Sequence, residues 1–166
     1  MSFKEVAEYF KTRFQIPHSI EEMQNCWNQM AREKYSKEVP LKPGAREFLE
    51  ECRTRGIKLG IASSNSRELI ETCLKGNCVS DYFECIMSGS DGIKGKPAPD
   101  IYLAAAKKLG IEPKHCLVFE DIVAGIQSGK NAGMKVCAVE DYYSKHQDAE
   151  KFALADYYIS DFYALF

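Results

Sequence analysis

The chain lacks the features that mark several large classes of protein. No apolar stretch in its 166 residues approaches the length of a membrane span, and the first residues carry charges where a signal peptide needs an apolar run. It has no basic tail, no acidic tail and no long block of like charge, and its formal net charge is -2. Nucleic acid and anionic membranes are therefore poor partners, and we expect a soluble, cytoplasmic protein.

The cysteines also lack any familiar metal-binding or disulfide pattern. There are seven, an odd number, and none falls into a CxxC or Cys/His zinc spacing. Most of them lie in apolar runs. We expect reduced thiols that pack as small buried hydrophobic side chains.

The chain does contain enough apolar material, 45% of its residues, for one compact core. Residues 1–38 predict two amphipathic helices joined around Pro17, the second beginning with the capping-box pair Ser19 and Glu22. From Pro40 onward, predicted helices alternate with short apolar runs, a pattern typical of α/β proteins. Helices are predicted at about 45–55, 100–109 and 124–131, and one more begins near residue 65. The predicted strands are KLGIAS, FECIMS, CLVFED, KVCAVE and part of ADYYISDFYALF.

Strands this short, apolar on both faces and separated by helices, predict a Rossmann-like parallel sheet with helices on both faces. In such α/β sheets, ligands bind beyond the carboxyl ends of the strands. The polar residues that follow the predicted strands are therefore the candidates for a functional site.

The first candidate segment is Ser63-Ser64-Asn65-Ser66, between a strand and a helix. A helix N-terminus offers free N–H groups and a positive dipole end, so an added hydroxyl would complete a small phosphate cradle. Asn65 and Glu68 have the spacing of a second capping box, and the segment could instead serve only as a helix cap.

The second candidate is Lys96, between Gly95 and Pro97. Proline restricts its own backbone and that of the residue before it, so the lysine sits on a restrained segment. Its ammonium could act as a point charge toward a phosphoryl group. The alternative is a loop lysine that faces solvent.

The third candidate is the acidic pair Glu120 and Asp121, which ends the run CLVF. Adjacent carboxylates at the end of a buried strand repel each other, so a positive group should lie near them. Magnesium suits them because it takes hard oxygen ligands and keeps waters and a substrate phosphate in its shell. Alternatively, Asp121 caps the next helix.

Together, the three segments supply a cradle, a cation and a metal site, which are the parts that phosphoryl transfer requires. A receiver domain also combines paired acids with a Lys-Pro, but there the acidic pair comes early and the Lys-Pro late. The order is reversed here, which excludes that reading.

In order, IASSNS, GKPAPD and FEDIVAGIQSGKNAG resemble the second, third and fourth motifs of the haloacid dehalogenase superfamily. The EDxxxG form resembles the subgroup of β-phosphoglucomutase and related sugar and metabolite phosphatases. The resemblance implies a partial helical cap in residues 1–38 and an α/β core in residues 39–166. The segment Pro43-Gly44-Ala45 resembles the entry into that core.

The resemblance implies a role for each candidate residue. Ser63 would contact the phosphoryl group through its hydroxyl, with backbone N–H groups around Ser64 and Asn65 assisting. Lys96 would neutralise the phosphoryl oxygens and the attacking carboxylate, and Glu120 and Asp121 would hold magnesium, Asp121 being the better candidate for a direct ligand. The parent enzyme would be a Mg²⁺-dependent phosphatase or phosphomutase that acts on a small phosphorylated metabolite through an aspartyl-phosphate.

The family's first motif, an apolar strand ending in DxDG that carries the nucleophile, is absent from residues 1–166. The other aspartates tested, at positions 81, 91, 156 and 161, do not follow a buried strand in that pattern. We therefore expect a core that lacks its first strand, weakened magnesium binding and no turnover by this chain alone. Its unpaired sheet edges could also support a homo-oligomer.

Three explanations stay open: a shortened or wrongly started active enzyme, a natural fragment kept for binding or assembly, or a printed sequence that omits residues. The alternative function is a non-catalytic interaction module derived from such an enzyme. Substrate identity is not readable from the sequence. Four side chains are either substrate contacts or solvated polar groups: His18, Arg32, Lys34 and Arg67.

Overall fold

The computed structural model describes the backbone of residues 3–166 and the side chains of residues 6–166. Met1 and Ser2, the first residues of the predicted cap segment, lie outside this range. The chain divides into two compact units, Met1–Pro40 and Leu41–Phe166.

The first unit consists of two helices, α1 (Phe3–Phe14) and α2 (Ile20–Lys37). The predicted capping box at the start of α2 is confirmed, because the Ser19 side chain accepts from the backbone N–H of Glu22 while the Glu22 carboxylate accepts from that of Ser19. The ring centroids of Phe10 and Trp27 lie 5.6 Å apart, so the apolar stripes of the two helices meet.

The second unit alternates helices and strands. Its elements are α3 (Ala45–Thr54), β1 (Gly60–Ala62), α4 (Arg67–Gly76), β2 (Cys85–Met87), α5 (Asp100–Leu109), β3 (Leu117–Glu120), α6 (Val123–Asn131), β4 (Lys135–Val139), α7 (Asp148–Leu154) and β5 (Tyr157–Ile159). Short 3₁₀ helices occupy Ser80–Tyr82, Pro113–His115, Lys145–Gln147 and Phe162–Leu165.

Most predicted helix boundaries agree with the structure because capping residues mark them. Helix α5 spans the predicted range and ends at Gly110, whose φ of 69° is left-handed. The predicted cap Asn65 was wrong by one residue, since Ser66 accepts the bond from Leu69 N instead. Helix α7 has only seven residues and was missed altogether.

The strands form parallel ladders, as predicted, but the ladders are two rather than one. β1 pairs with β2, and β4 pairs with both β3 and β5. Within the described chain no ladder joins β1 to β3, so each of these strands is paired along a single edge. The expectation that the core lacks its first strand stays a prediction.

Helices cover both faces of the strands, which confirms the predicted layering. Side chains of β1 and β2 alternate: Ile61 and Ile86 pack with residues of α3 and α4, whereas Ala62 and Met87 face the cluster built from α5 and α6. That second cluster also contains Val136 of β4. The two ladders therefore share one apolar core, although no strand pairing within residues 3–166 connects them.

All seven cysteines are free thiols, as expected, but the predicted burial is wrong for Cys26 and Cys78, which are exposed. Three of them, Cys52, Cys85 and Cys137, are buried, and burial raises the pKa of the Cys137 thiol to about 11. Across residues 3–166, no helix is both long and apolar enough to span a bilayer.

We expect Gly44→Ala to destabilise the fold more than Gly133→Ala. Both glycines have left-handed backbones, with φ of 75° and 74°, so each alanine costs about 1–2 kcal/mol in backbone conformation. A Cβ at Gly44 would also lie 2.5 Å from the backbone nitrogen of Tyr163, whereas one at Gly133 meets nothing within 4 Å. Urea unfolding of both variants measures the difference, and equal losses would show that the close approach imposes no constraint.

Candidate functional site

The segment after β1 is a turn whose hydroxyls have separate tasks. Ser66 caps α4, whereas the Ser63 hydroxyl oxygen accepts from the backbone N–H of Asn65 at 3.2 Å. Accepting that bond leaves the O–H of Ser63 able to donate to a ligand. Ser64 and Asn65 are exposed beside it, at the N-terminal end of α4. The local geometry thus provides a donor hydroxyl at a helix N-terminus.

A close contact with the loop after β2 fixes this turn. The backbone N–H of Ser63 donates to the carbonyl of Met87, and that of Gly89 donates to the carbonyl of Asn65, both at 3.0 Å. A Cβ at Gly89 would lie 2.3 Å from the carbonyl oxygen of Ser64. Only glycine allows the two loops to approach this closely.

Arg67 stabilises the same pair of loops. Its guanidinium donates to the carbonyl of Ile86 at 3.0 Å and pairs with the Asp91 carboxylate, whose oxygens also accept from the Ser88 backbone N–H and hydroxyl. The Ser88 backbone N–H is the main reason that the pKa of Asp91 is lowered. Arg67 therefore has a structural task, and Asp91 is a loop anchor.

Lys96 bridges the two ladders. Its ammonium donates to the carbonyl of Ala62, at the end of β1, at 3.2 Å, and to the carboxylate of Glu120, at the end of β3. The lysine side chain is only 10% exposed, so it is not a solvent-facing loop residue. Its loop is held to α6 by Ser128 Oγ, which donates to Ala98 O at 2.6 Å, and by Asn131 Nδ2, which donates to Pro97 O at 3.0 Å.

Glu120 is held on three sides. Its side chain is 8% exposed, and its Oε1 accepts from both the Lys96 ammonium and the Tyr102 hydroxyl. On the third side, a Cβ at Gly125 would lie 2.2 Å from the carboxyl carbon, so the glycine of EDxxxG makes room for the carboxylate. Its sequence position pointed to the motif but not to this contact.

The Asp121 side chain does not cap α6, because Ile122 is the cap residue and no side-chain cap bond is present. Its backbone carbonyl accepts from the Ser144 hydroxyl at 2.5 Å, and that hydroxyl accepts from the Lys151 ammonium at 3.1 Å. Lys151 is fully buried and pairs with Asp148 at 2.8 Å. A buried hydrogen-bond chain thus supports the backbone that carries the Asp121 carboxylate.

Lys96 links its own segment to the other two predicted segments. Its ammonium contacts the strand end before Ser63 and the carboxylate of Glu120. Tyr102, Ser144 and Lys151 were missed. Tyr102 has the helical spacing of a core aromatic, and the other two lie in a segment that gave no strong signal. His18 and Lys34 interact with Glu22 and Glu38 within the first unit.

The residues present match part of a magnesium site. Among the described side chains, no group of three or more His, Cys, Asp or Glu could hold a metal ion. Glu120 and Asp121 nevertheless offer two adjacent carboxylates, and magnesium commonly takes one or two from the protein and the rest from waters and phosphate. The donor set fits the ion in chemistry and is incomplete in number.

Residues 2–139 match the family model for haloacid dehalogenase-like hydrolases. Protein CbbY of Rhodobacter capsulatus is 35% identical over 129 residues, which cover 76% of this chain and 56% of that protein. Hexitol phosphatase B of Escherichia coli is 34% identical over 121 residues, which cover 73% of this chain and 54% of that protein. The chain therefore spans about half the length of these curated relatives.

A solved structure of CbbY from Rhodobacter sphaeroides in complex with phosphate is similar with a TM-score of 0.81 at 26% identity, covering 90% of this chain and 67% of that one. A second crystal structure of that protein contains xylulose-(1,5)bisphosphate and is similar with a TM-score of 0.79 at 26% identity, covering 89% of this chain and 66% of that one. The similarity extends over most of the described fold.

We expect Gly125→Ala to displace Glu120 from Lys96 and Tyr102, because the new Cβ would occupy the space of the carboxylate. Breaking a buried ion pair costs about 3–5 kcal/mol, and replacing a helical glycine by alanine returns about 1, so the net loss should be about 2–4 kcal/mol. Denaturant unfolding gives the value.

Gly95→Ala is the matched control for this change. Gly95 precedes Lys96 directly, and a Cβ there meets nothing within 4 Å, so the variant should stay within about 0.5 kcal/mol of the unchanged protein. If Gly125→Ala were as stable as this control, the Glu120 carboxylate would not need the space beside Gly125, and the predicted clash would be wrong.

Proposed function

The chain belongs to the haloacid dehalogenase-like hydrolases, and from this premise we propose that it carries the phosphate-binding and magnesium-binding parts of a phosphoryl-transfer site. The main support is the position of Lys96, whose ammonium reaches both the end of β1 and the carboxylate of Glu120. One cation thus contacts the strand end that precedes Ser63 and the first carboxylate of the acidic pair. Phosphoryl transfer depends on this combination of positioning and charge neutralisation.

Each residue has a separate role in this proposal. Ser63 donates its hydroxyl proton to a phosphoryl oxygen, and the backbone N–H groups of Ser64 and Asn65 bind another, the latter after it leaves the Ser63 hydroxyl. Lys96 neutralises negative charge on the phosphoryl group. A low-dielectric position makes that charge more effective than it would be in water.

Glu120 and Asp121 would hold magnesium, which would offset negative charge on the phosphoryl oxygens. Asp121 is the better direct ligand, because Glu120 Oε1 is already engaged by Lys96 and Tyr102. The chain through Ser144 fixes the Asp121 backbone from behind. The metal affinity of residues 1–166 alone is weak, since the described side chains offer two carboxylates rather than three.

The substrate in this proposal is a small phosphorylated metabolite, and the reaction is that of a phosphatase or phosphomutase. Relatives named as a hexitol phosphatase and as a protein in complex with xylulose-(1,5)bisphosphate support this class. In this proposal the attacking carboxylate is that of a DxDG aspartate, a motif that residues 1–166 do not contain. Its attack on phosphorus would form an aspartyl-phosphate while the bond from phosphorus to the substrate's oxygen breaks and the alcohol leaves. We expect no turnover by residues 1–166 alone.

We expect a version extended upstream by a DxDG strand to hydrolyse a generic phosphomonoester, such as p-nitrophenyl phosphate, only when Mg²⁺ is present. Asp121→Ala in that version should lower kcat by about 100-fold or more, because a ligand of the metal is lost. Asp81→Ala, an exposed aspartate on the 3₁₀ helix Ser80–Tyr82, is the control and should change nothing. Inactivity of the extended chain, or full activity of Asp121→Ala, would refute the enzyme function.

A second function is favoured by the edges of β1 and β3 that no described strand pairs. Unpaired edges recruit other strands, so the chain could act as a non-catalytic module that assembles through them. This function predicts a stable oligomer without phosphatase activity, which sedimentation and the same assay measure. A monodisperse monomer with Mg²⁺-dependent turnover would exclude it.

A further inference from the structure

Tyr102 contacts both charged residues at the centre of the site. It lies on α5 with a side chain only 7% exposed, and its hydroxyl donates to Glu120 Oε1, the oxygen that also accepts from Lys96. The centroid of its ring lies 5.1 Å from the Lys96 ammonium, within range of a cation–π contact. No other described side chain meets the carboxylate with a hydroxyl and the ammonium with a ring.

Packing alone does not explain the hydroxyl. The ring belongs to the apolar cluster of α5, α6 and the strands, which a phenylalanine would fill equally well. A buried hydroxyl without a partner costs about 1–3 kcal/mol, so this position tolerates tyrosine because Glu120 accepts its proton. Burial, followed by the charge of Glu120, raises the pKa of Tyr102, and the group therefore remains a neutral donor.

The hydrogen bonds of Lys96 leave room for a ligand. An ammonium has three N–H donors, and Lys96 uses one for Ala62 O and one for Glu120, while the third has no acceptor among residues 6–166. An anion bound at this third N–H would attract the ammonium and weaken its hold on Glu120. The buried carboxylate would then depend on a second donor to stay in place.

We propose that Tyr102 is a positioning residue that holds Glu120 independently of Lys96, so that the ammonium can turn to a phosphoryl oxygen while the carboxylate stays in place. This inference deepens the proposed function and rests on it. The ring of Tyr102 contacts the Lys96 ammonium while the ammonium reorients, and the hydroxyl of Tyr102 holds the Glu120 carboxylate. Substitutions can therefore remove the hydroxyl of Tyr102 alone, or the hydroxyl and the ring together.

The direct test follows the side-chain NMR signals of Lys96 and Glu120 in residues 1–166 while inorganic phosphate is added. We expect phosphate to shift the Lys96 signal and leave the Glu120 signal unchanged. In Tyr102→Phe, both signals should shift, because the carboxylate follows the ammonium. Tyr102→Leu should in addition lose the upfield ring-current shift of the Lys96 methylene protons, which the Phe variant keeps.

Tyr163→Phe is the matched control, since Tyr163 also donates its hydroxyl to a carboxylate, that of Glu47, at 3.2 Å on the surface. In Tyr163→Phe, phosphate should shift the Lys96 signal and leave the Glu120 signal unchanged, as in the unchanged protein. If Glu120 stayed in place in Tyr102→Phe, or if phosphate moved the two signals together in the unchanged protein, the positioning role would be wrong. An unmoved Lys96 signal would also refute it.

A second measurement uses the version extended by a DxDG strand. Loss of a group that orients a metal-binding carboxylate typically costs about 10–100-fold, so Tyr102→Phe should raise the Mg²⁺ concentration needed for half-maximal rate by that factor. KM for the phosphomonoester should change by less than about twofold, a split that general destabilisation would not produce. An unchanged Mg²⁺ requirement would overturn the role.

The two proposals fail differently. An extended but otherwise unchanged chain without activity would refute the proposed function, while the NMR comparison would still decide whether Tyr102 holds Glu120. Activity that needs Mg²⁺ equally in both proteins would leave the function standing and refute the role of Tyr102.

Discussion

The ion pair between Lys96 and Glu120 joins two parts of the core that no ladder of the described strands connects. Both side chains are nearly buried, so each charge has given up most of its water and depends on the other. Removing either partner would leave an isolated buried charge, at a cost of about 3–5 kcal/mol. The loop that carries Lys96 places the ammonium of this pair, and the space beside Gly125 accommodates the carboxylate.

A second layer of polar contacts supports the pair from outside. Arg67 and Asp91 hold the loop after β2, and Gly89 lets that loop approach the turn containing Ser63. On the other side, Lys151 acts through Ser144 on the backbone of Asp121. The same low dielectric that makes these groups costly to bury makes their positions well defined.

The sequence predicted the elements whose limits are set by local chemistry. Gly110 ends α5 at the expected residue, and short apolar runs mark β1, β2, β3 and β4. It could not predict the task of Tyr102, because an aromatic residue at helical spacing looks the same whether or not its hydroxyl meets a carboxylate. Nor could it show that the strands form two ladders rather than one sheet, because strand pairing depends on contacts between residues far apart in the chain. Helix α7 was missed because seven residues give too little periodicity.

The contact between Gly44 and Tyr163 lies near both ends of the unit Leu41–Phe166. The backbone N–H of Phe162 donates to the carbonyl of Pro43 at 3.0 Å, so the beginning and the end of this unit meet. A chain closed in this way can be opened at an exposed loop and rejoined at its ends without altering the order of its strands in space. Nearby ends are also the geometry that lets a domain be inserted into a longer polypeptide at a single point.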